Sequence, residues 1–228
     1  MPTFALIPGA GGSAWFWHRV TPLLAATGAT VIPVDLPAGD DTADLSAYAD
    51  IVVESVADAP GPLVLVGQSM GAFTAPIAAT RVPTALVVLV NPMVPTAGES
   101  GGEWWDNTGV RVARIEYFRR IGLPREDFDE VEDFFHDVPE AVRTEAFRQP
   151  EPQQSETPFS RPWPLEGWPD VATRVIAGAD DRLFPLDFQR RVVRERLGLE
   201  VVAMPGGHLT ALSRPRELAD LLIEFADF

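Results

Sequence analysis

Leu63-Val64-Leu65-Val66-Gly67-Gln68-Ser69-Met70-Gly71 is the stretch whose reading decides the fold. Four apolar residues in a row suit a strand covered on both faces, as in a parallel sheet. Gly67–Gly71 then has the form G-x-S-x-G, and Met70–Arg81 reads as the helix that follows. A serine between a buried strand and a helix sits in a tight, strained turn that lifts its hydroxyl clear of the sheet. Large side chains at Gly67 or Gly71 would collide with strand or helix backbone. The helix N-terminus also favours negative charge developing nearby. A plain Gly-rich turn would carry the same letters, but the strand–turn–helix setting favours Ser69 as a nucleophile.

The pattern extends outward in both directions. Phe4–Ile7, Thr30–Val34 and Ala85–Val90 are further short apolar runs, and Trp17–Ala26 and Leu45–Ala57 read as helices between them. Repeated βαβ order predicts an α/β fold with a doubly wound parallel sheet and right-handed crossovers. From about Pro95 to Trp168 the pattern lapses. Arg125–His136 and Pro139–Phe147 read there as helices, and Gln149–Pro164 as a proline-studded connector. It resumes with Thr173–Ala177 (strand), Leu186–Leu197 (helix), Leu199–Ala203 (strand) and Pro215–Phe225 (helix). The expected architecture is a mostly parallel sheet of about six strands, formed by residues 1–97 and 166–228, with a helical cap inserted at 98–165.

Composition excludes several chemistries. The 228 residues contain 33 acidic and 18 basic side chains, for a formal net charge of −15. A chain so short of cations is a poor partner for nucleic acid phosphates. Cysteine is absent, so there is no thiol nucleophile or thiolate metal site. Every basic residue is arginine, so no lysine can form a Schiff base or act as a general base. Three histidines, His18, His136 and His208, make a multi-histidine metal centre improbable, and no metal or other cofactor is expected. The N-terminal run is short and unpreceded by basic residues, so neither a leader peptide nor a membrane span is expected, and the default location is cytoplasmic.

Pro8-Gly9-Ala10-Gly11-Gly12-Ser13 follows the first strand. A Gly-rich turn there could cradle the phosphates of a dinucleotide, with Asp35 at the ribose. The loop runs long before its helix, however, whereas a dinucleotide fold starts the helix inside the motif. Beside Ser69 it reads better as a source of oxyanion-binding N–H groups, the backbone amides of Ala10 and Met70 being the two donors. His18 lies beyond this loop and is expected to cap it or pack against it.

An acid and a base should follow the serine in chain order. Val175–Arg182 is a strand end running into an acidic turn with two adjacent candidates, Asp180 and Asp181. His208 stands on the Gly-rich loop Met204-Pro205-Gly206-Gly207 after the last strand, a placement that suits a base better than a core histidine. His136, among Phe134, Phe135 and Asp137, is expected to pack or to lie at the surface.

Taken together, these residues resemble the α/β-hydrolases over essentially the whole chain. Pro8–Trp17 (PGAGGSAWFW), Pro22-Leu23-Leu24, Val34-Asp35-Leu36, Phe135-His136-Asp137, Asp181…Pro185…Phe188-Gln189 and Gly206-Gly207-His208 look like the plant-type methylesterase and hydroxynitrile lyase branch and its bacterial relatives. The resemblance implies a Ser69–His208–Asp181 triad, with Ala10 as first oxyanion donor. It departs at Pro8-Gly9, where the family usually carries His-Gly. Some hydrolases take the acid from the preceding strand, where this chain has Asn91. Lyases of the branch resemble one another in having threonine at the Gly9 position and lysine after the catalytic histidine. Here Leu209 follows His208, which favours acyl transfer.

The expected activity is therefore cleavage of a small carboxylic ester, with an apolar or aromatic substrate as the only implied partner. The same triad acting on a C–C bond, thioester or lactone, or in a lyase step, is the alternative. A non-catalytic small-molecule receptor is a third. Trp104, Trp105, Tyr117, Phe118, Phe134 and Phe135 supply the cap with aromatics. Some should line a pocket over Ser69, and most should form the cap's own core. Pro76, inside the helix after Ser69, should cost that helix a hydrogen bond.

Overall fold

A computed structural model describes residues 1–151 and 153–227. Six strands, β1 (Thr3–Ile7), β2 (Thr30–Pro33), β3 (Leu63–Gln68), β4 (Leu86–Val90), β5 (Thr173–Gly178) and β6 (Val201–Met204), form one parallel sheet in the order β2-β1-β3-β4-β5-β6. Alternate residues of each strand feed two different core layers, which explains the uninterrupted apolar runs. Ala5, Ile7, Leu65, Val87 and Leu89 pack on one face with α2 (Leu45–Ser55), α3 (Gly71–Ala79) and α9 (Leu186–Leu197). Phe4, Leu6, Val64, Val66 and Val88 pack on the other with α1 (Thr21–Ala25), α10 (Thr210–Ser213) and α11 (Pro215–Phe225).

The strand order reverses direction between β1 and β3, where Ile7 pairs with Gly67. The loops leaving these two strands, Pro8–Ser13 and the turn at Ser69, therefore emerge side by side. Such a switch point is where open α/β sheets bind ligands.

Between β4 and β5 the chain forms α4 (Gly101–Thr108), α5 (Val110–Arg120), α6 (Glu130–Phe134), α7 (Glu140–Ala146) and α8 (Thr157–Ser160). A capping box opens α4: Ser100 Oγ accepts from Glu103 N, and the Glu103 carboxylate accepts from Ser100 N. Several polar contacts fasten this insertion to the loops and helix beside the sheet. Trp104 Nε1 donates to Val94 O and Trp163 Nε1 to Phe73 O, both at 3.0 Å. Gly207 N donates to Asp137 Oδ2 at 2.8 Å.

Three elements differ from the sequence reading. Trp17–Ala26 is not one helix: Ala14–Trp17 is a short 3-10 turn, and α1 starts at Thr21 because Pro22 suits only a first turn. Arg125–His136 is helical only over Glu130–Phe134. Asp129 caps that helix at Glu132 N, and the Asp133 carboxylate takes the Asp129 N–H, so the chain before it stays irregular. Within Gln149–Pro164, Thr157–Ser160 forms a single helical turn, and Pro152 lies outside the described residues. Pro76 does sit inside α3, which continues past it to Ala79. It has no N–H to offer Ala72 O.

Two positions yield predictions. A Cβ on Gly71 would lie 2.7 Å from Pro8 O and 2.9 Å from Ile7 O, both backbone atoms. Gly71→Ala should therefore lower unfolding free energy by about 1–3 kcal/mol, the usual cost of overpacking. Urea titration checks this, and a loss below about 0.5 kcal/mol would sink the claim.

His136 is largely buried, its Nε2 has no partner among the described residues, and Asp137 Oδ1 lies 4.0 Å away. Burial pushes its pKa below the ordinary 6.5, aided by the Arg182 charge and opposed by the Asp137, Asp181 and Asp180 carboxylates. The fold thus prefers neutral imidazole, and the unfolded chain takes up the proton first on acidification. Stability present above pH 6.5 is lost as pH falls towards the folded pKa. His136→Gln should lose less stability than the native chain between about pH 7.5 and 5.5. Parallel pH profiles of the two proteins would contradict this.

Candidate active site

Ser69 directly follows β3 with φ 52°, a left-handed conformation that an L-residue adopts only when its surroundings impose it. Three backbone bonds hold it: Ser69 N donates to Val90 O and Met93 N donates to Ser69 O, both at 3.0 Å, and Ala72 N donates to Ser69 O at 3.1 Å. A Cβ on Gly67 would lie 2.7 Å from Gly71 O, so the turn closes this tightly only with glycine there.

Three strand ends bring the expected triad residues together. His208, from the loop after β6, has Nε2 3.1 Å from Ser69 Oγ and Nδ1 2.8 Å from Asp181 Oδ2. With Nδ1–H donating to the carboxylate, Nε2 is left to accept from the serine hydroxyl. The imidazole is buried between Phe184 and Phe134, whose ring centres lie 4.9 and 5.3 Å away.

The two candidate acids are separated by geometry. Asp181 is fully buried, and its Oδ1 accepts from Leu183 N and Phe184 N at 2.8 Å each. Gln189 Nε2 lies 3.3 Å from its Oδ2. Asp180 is exposed and turns away, its Oδ2 accepting from Gly206 N at 3.2 Å.

Asn91 takes a structural part that sequence reasoning missed. It directly follows β4 with φ 46° and is fully buried. Its Nδ2 donates to Gly207 O at 3.1 Å and His208 O at 2.8 Å, while Oδ1 accepts from Gly178 N at 2.7 Å. One amide therefore ties the end of β5 to the histidine loop. The available signal was a lone amide residue closing an entirely apolar strand.

In the loop after β1, two backbone donors are already engaged. Gly11 N donates to Gln154 Oε1 at 2.9 Å and Gly12 N to Gly9 O at 3.2 Å. Among the described residues neither Ala10 N nor Met70 N has an acceptor, and both residues border the cavity at Ser69. Asp35 Oδ1 accepts from Ala14 N at 2.7 Å, so the acid considered for a ribose instead braces this loop. His18 packs there as well, stacked on Trp15 with ring centres 4.3 Å apart and Nδ1 2.8 Å from Trp15 O.

The cavity at Ser69 has a volume of about 330 Å³ and walls formed chiefly by apolar side chains. Of the six cap aromatics named from sequence, Trp105 and Phe134 line it, joined by Phe128 and Phe159. Phe135 lines a second cavity of about 390 Å³, reached past Ala10 and Gln68 and walled by Trp15, Phe147 and Leu209. Trp104 and Phe118 are core residues, 0% and 1% exposed. Among the described residues no three His, Asp or Glu side chains are grouped to hold a metal ion. None of the described helices is long and apolar enough to cross a membrane.

The chain is similar to known proteins along its whole length. It is 30% identical to a pyrethroid hydrolase of Sphingobium wenxiniae, over 97% of this chain and 86% of that one. It is 26% identical to Methylesterase 3 of Arabidopsis thaliana, over 97% and 95%. The crystal structure of a pyrethroid hydrolase from Sphingobium faniae superposes with a TM-score of 0.76 at 25% identity, covering 100% of this chain and 98% of the other. Residues 4–221 match the Alpha/beta hydrolase family, and with that span and this fold the chain belongs to it.

Proposed function

We propose that this protein is a carboxylic ester hydrolase working through an acyl-enzyme intermediate. The observation that carries the reading is the unbroken line Ser69 Oγ–His208 Nε2, His208 Nδ1–Asp181 Oδ2 beside two unused backbone donors. His208 takes the Ser69 proton as Oγ attacks the ester carbonyl. Ala10 N–H and Met70 N–H bind the oxyanion, and one such donor is typically worth about 10²–10³ in rate. The imidazolium then protonates the departing alcohol. Water, deprotonated by His208, attacks the acyl-serine, and the carboxylic acid leaves with Ser69 restored. Asp181, anchored by two backbone N–H groups, holds the imidazole in the required tautomer and balances its positive charge.

In this reading residues 98–165 are a lid over a core of residues 1–97 and 166–228. The two cavities meeting at Ala10 take the two sides of the ester, and their apolar walls favour an apolar or aromatic substrate. The names of the relatives, a methylesterase and a pyrethroid hydrolase, support ester cleavage. Lyase chemistry is disfavoured because Leu209 follows His208 and no lysine exists to accompany a leaving anion. A Cβ at Gly9 would also stand 2.6 Å from Gln68 Oε1 and 3.0 Å from Ser69 Cβ.

A fluorophosphonate probe should label the native protein and leave Ser69→Ala unlabelled. Labelling of that variant, or none of the native chain, would refute the reading. Asp181→Asn should lower kcat for nitrophenyl esters by about 10³-fold or more, since the amide orients the imidazole wrongly. Asp180→Asn should change it less than about threefold. Equal losses in the two variants would place the acid elsewhere.

A further inference from the structure

The cavity at Ser69 contains one charged side chain among its lining residues. Arg114, on α5, borders it together with Met70, Met93, Phe159 and Leu183. Its side chain is 11% exposed and donates from Nη2 to Asp133 Oδ2 at 2.9 Å. Asp133 is fully buried and shared: Arg125 Nη2 lies 2.5 Å from Oδ1, and Asp129 N donates to Oδ2 at 2.8 Å. Two guanidinium groups thus divide one carboxylate. Phe118 packs beneath it, its ring centre 4.4 Å from the Arg125 guanidinium carbon and 5.8 Å from that of Arg114.

Arg114 Nη1 has no acceptor among the described residues and, unlike the enclosed Nε, keeps accessible surface. A buried N–H on a charged group is among the costliest polar groups to leave unpaired. Asp133 has already turned three of its interactions to other donors. The cavity that Arg114 borders is the one at Ser69.

We infer that Arg114 is a specificity-determining residue, and that its unused N–H receives an oxygen acceptor carried by the substrate away from the scissile carbonyl. The preferred esters are then bifunctional, with a second carbonyl or a carboxylate on the part that enters this cavity. An all-hydrocarbon chain of equal length leaves the donor unpaired, and sites built around a polar partner reject analogues lacking it strongly. This rests on the esterase reading of Ser69, and the experiment separates the two.

Three matched methyl esters serve as probes: hexanoate, 5-oxohexanoate and the monoester of glutaric acid. The readout is the ratio of kcat/KM for each oxygen-bearing ester to that for hexanoate, taken within one protein so that general losses cancel. The native chain is expected to prefer at least one oxygen-bearing ester by about tenfold or more. Preference for the ketone alone identifies a neutral acceptor, and greater preference for the monoester identifies an anion. Arg114→Met should bring the ratios close to one. Arg114→Lys, which keeps a cation beside Asp133 but removes Nη1, should lower the ketone ratio and serves if the methionine variant does not fold. Calorimetric binding of the same esters to Ser69→Ala gives the preference without turnover. Preferential binding without hydrolysis by the native chain would leave this inference standing and remove the esterase reading. Ratios near one in the native chain, or unchanged ratios in both Arg114 variants, would overturn it.

Discussion

A carboxylate with no exposed surface is tolerable only if its oxygens are occupied, and Asp181 meets that condition in a way that orders everything around it. Two backbone N–H groups hold one oxygen, and His208 Nδ1 meets the other. A free buried carboxylate would become protonated or would unfold its surroundings. The pairing therefore fixes the carboxylate, the carboxylate fixes the ring, and the ring presents Nε2 to Ser69. Phe184 contributes twice, with its backbone N–H on Asp181 and its ring edge on His208.

This arrangement needs three strand ends held in register, and two unusual backbone conformations do the holding. Ser69 and Asn91, both non-glycine residues at positive φ, directly follow the neighbouring strands β3 and β4. Ser69 N bonds to Val90 O, so the two turns brace each other. Asn91 then reaches across β5 to the histidine loop. The strain at each position is offset by bonds from the sheet beside it, and a sheet parallel throughout delivers all of these ends to one edge.

The sheet was readable because its signal is local. Apolar runs of four to six residues separated by helical stretches specify the α/β class, and all six anticipated strands are present within two residues at each end. Ser69, His208 and Asp181 could be singled out as candidates because each sits just beyond such a run. Residue reading alone left Asp180 and Asp181 open, since adjacent residues differ only in the direction of their side chains. Details of the segment between β4 and β5 were harder for a physical reason. Arg125–Asp129 carries helix-compatible residues, yet the buried Asp133 carboxylate draws the Asp129 N–H and both guanidinium groups to itself. Asn91 and Arg114 act through partners 19 to 117 residues away, and no spacing within the chain announces such contacts.

The central claim is that Ser69 itself carries the acyl group during turnover. Acid-quenching the native protein within milliseconds of mixing with a nitrophenyl ester, then mapping the digested peptides by mass, tests it most directly. The account predicts a burst of nitrophenol approaching one per active site and an acyl mass confined to Ser69. A burst with the acyl mass on another residue, or turnover with no acylated peptide and no burst even where deacylation is slowed, would contradict it.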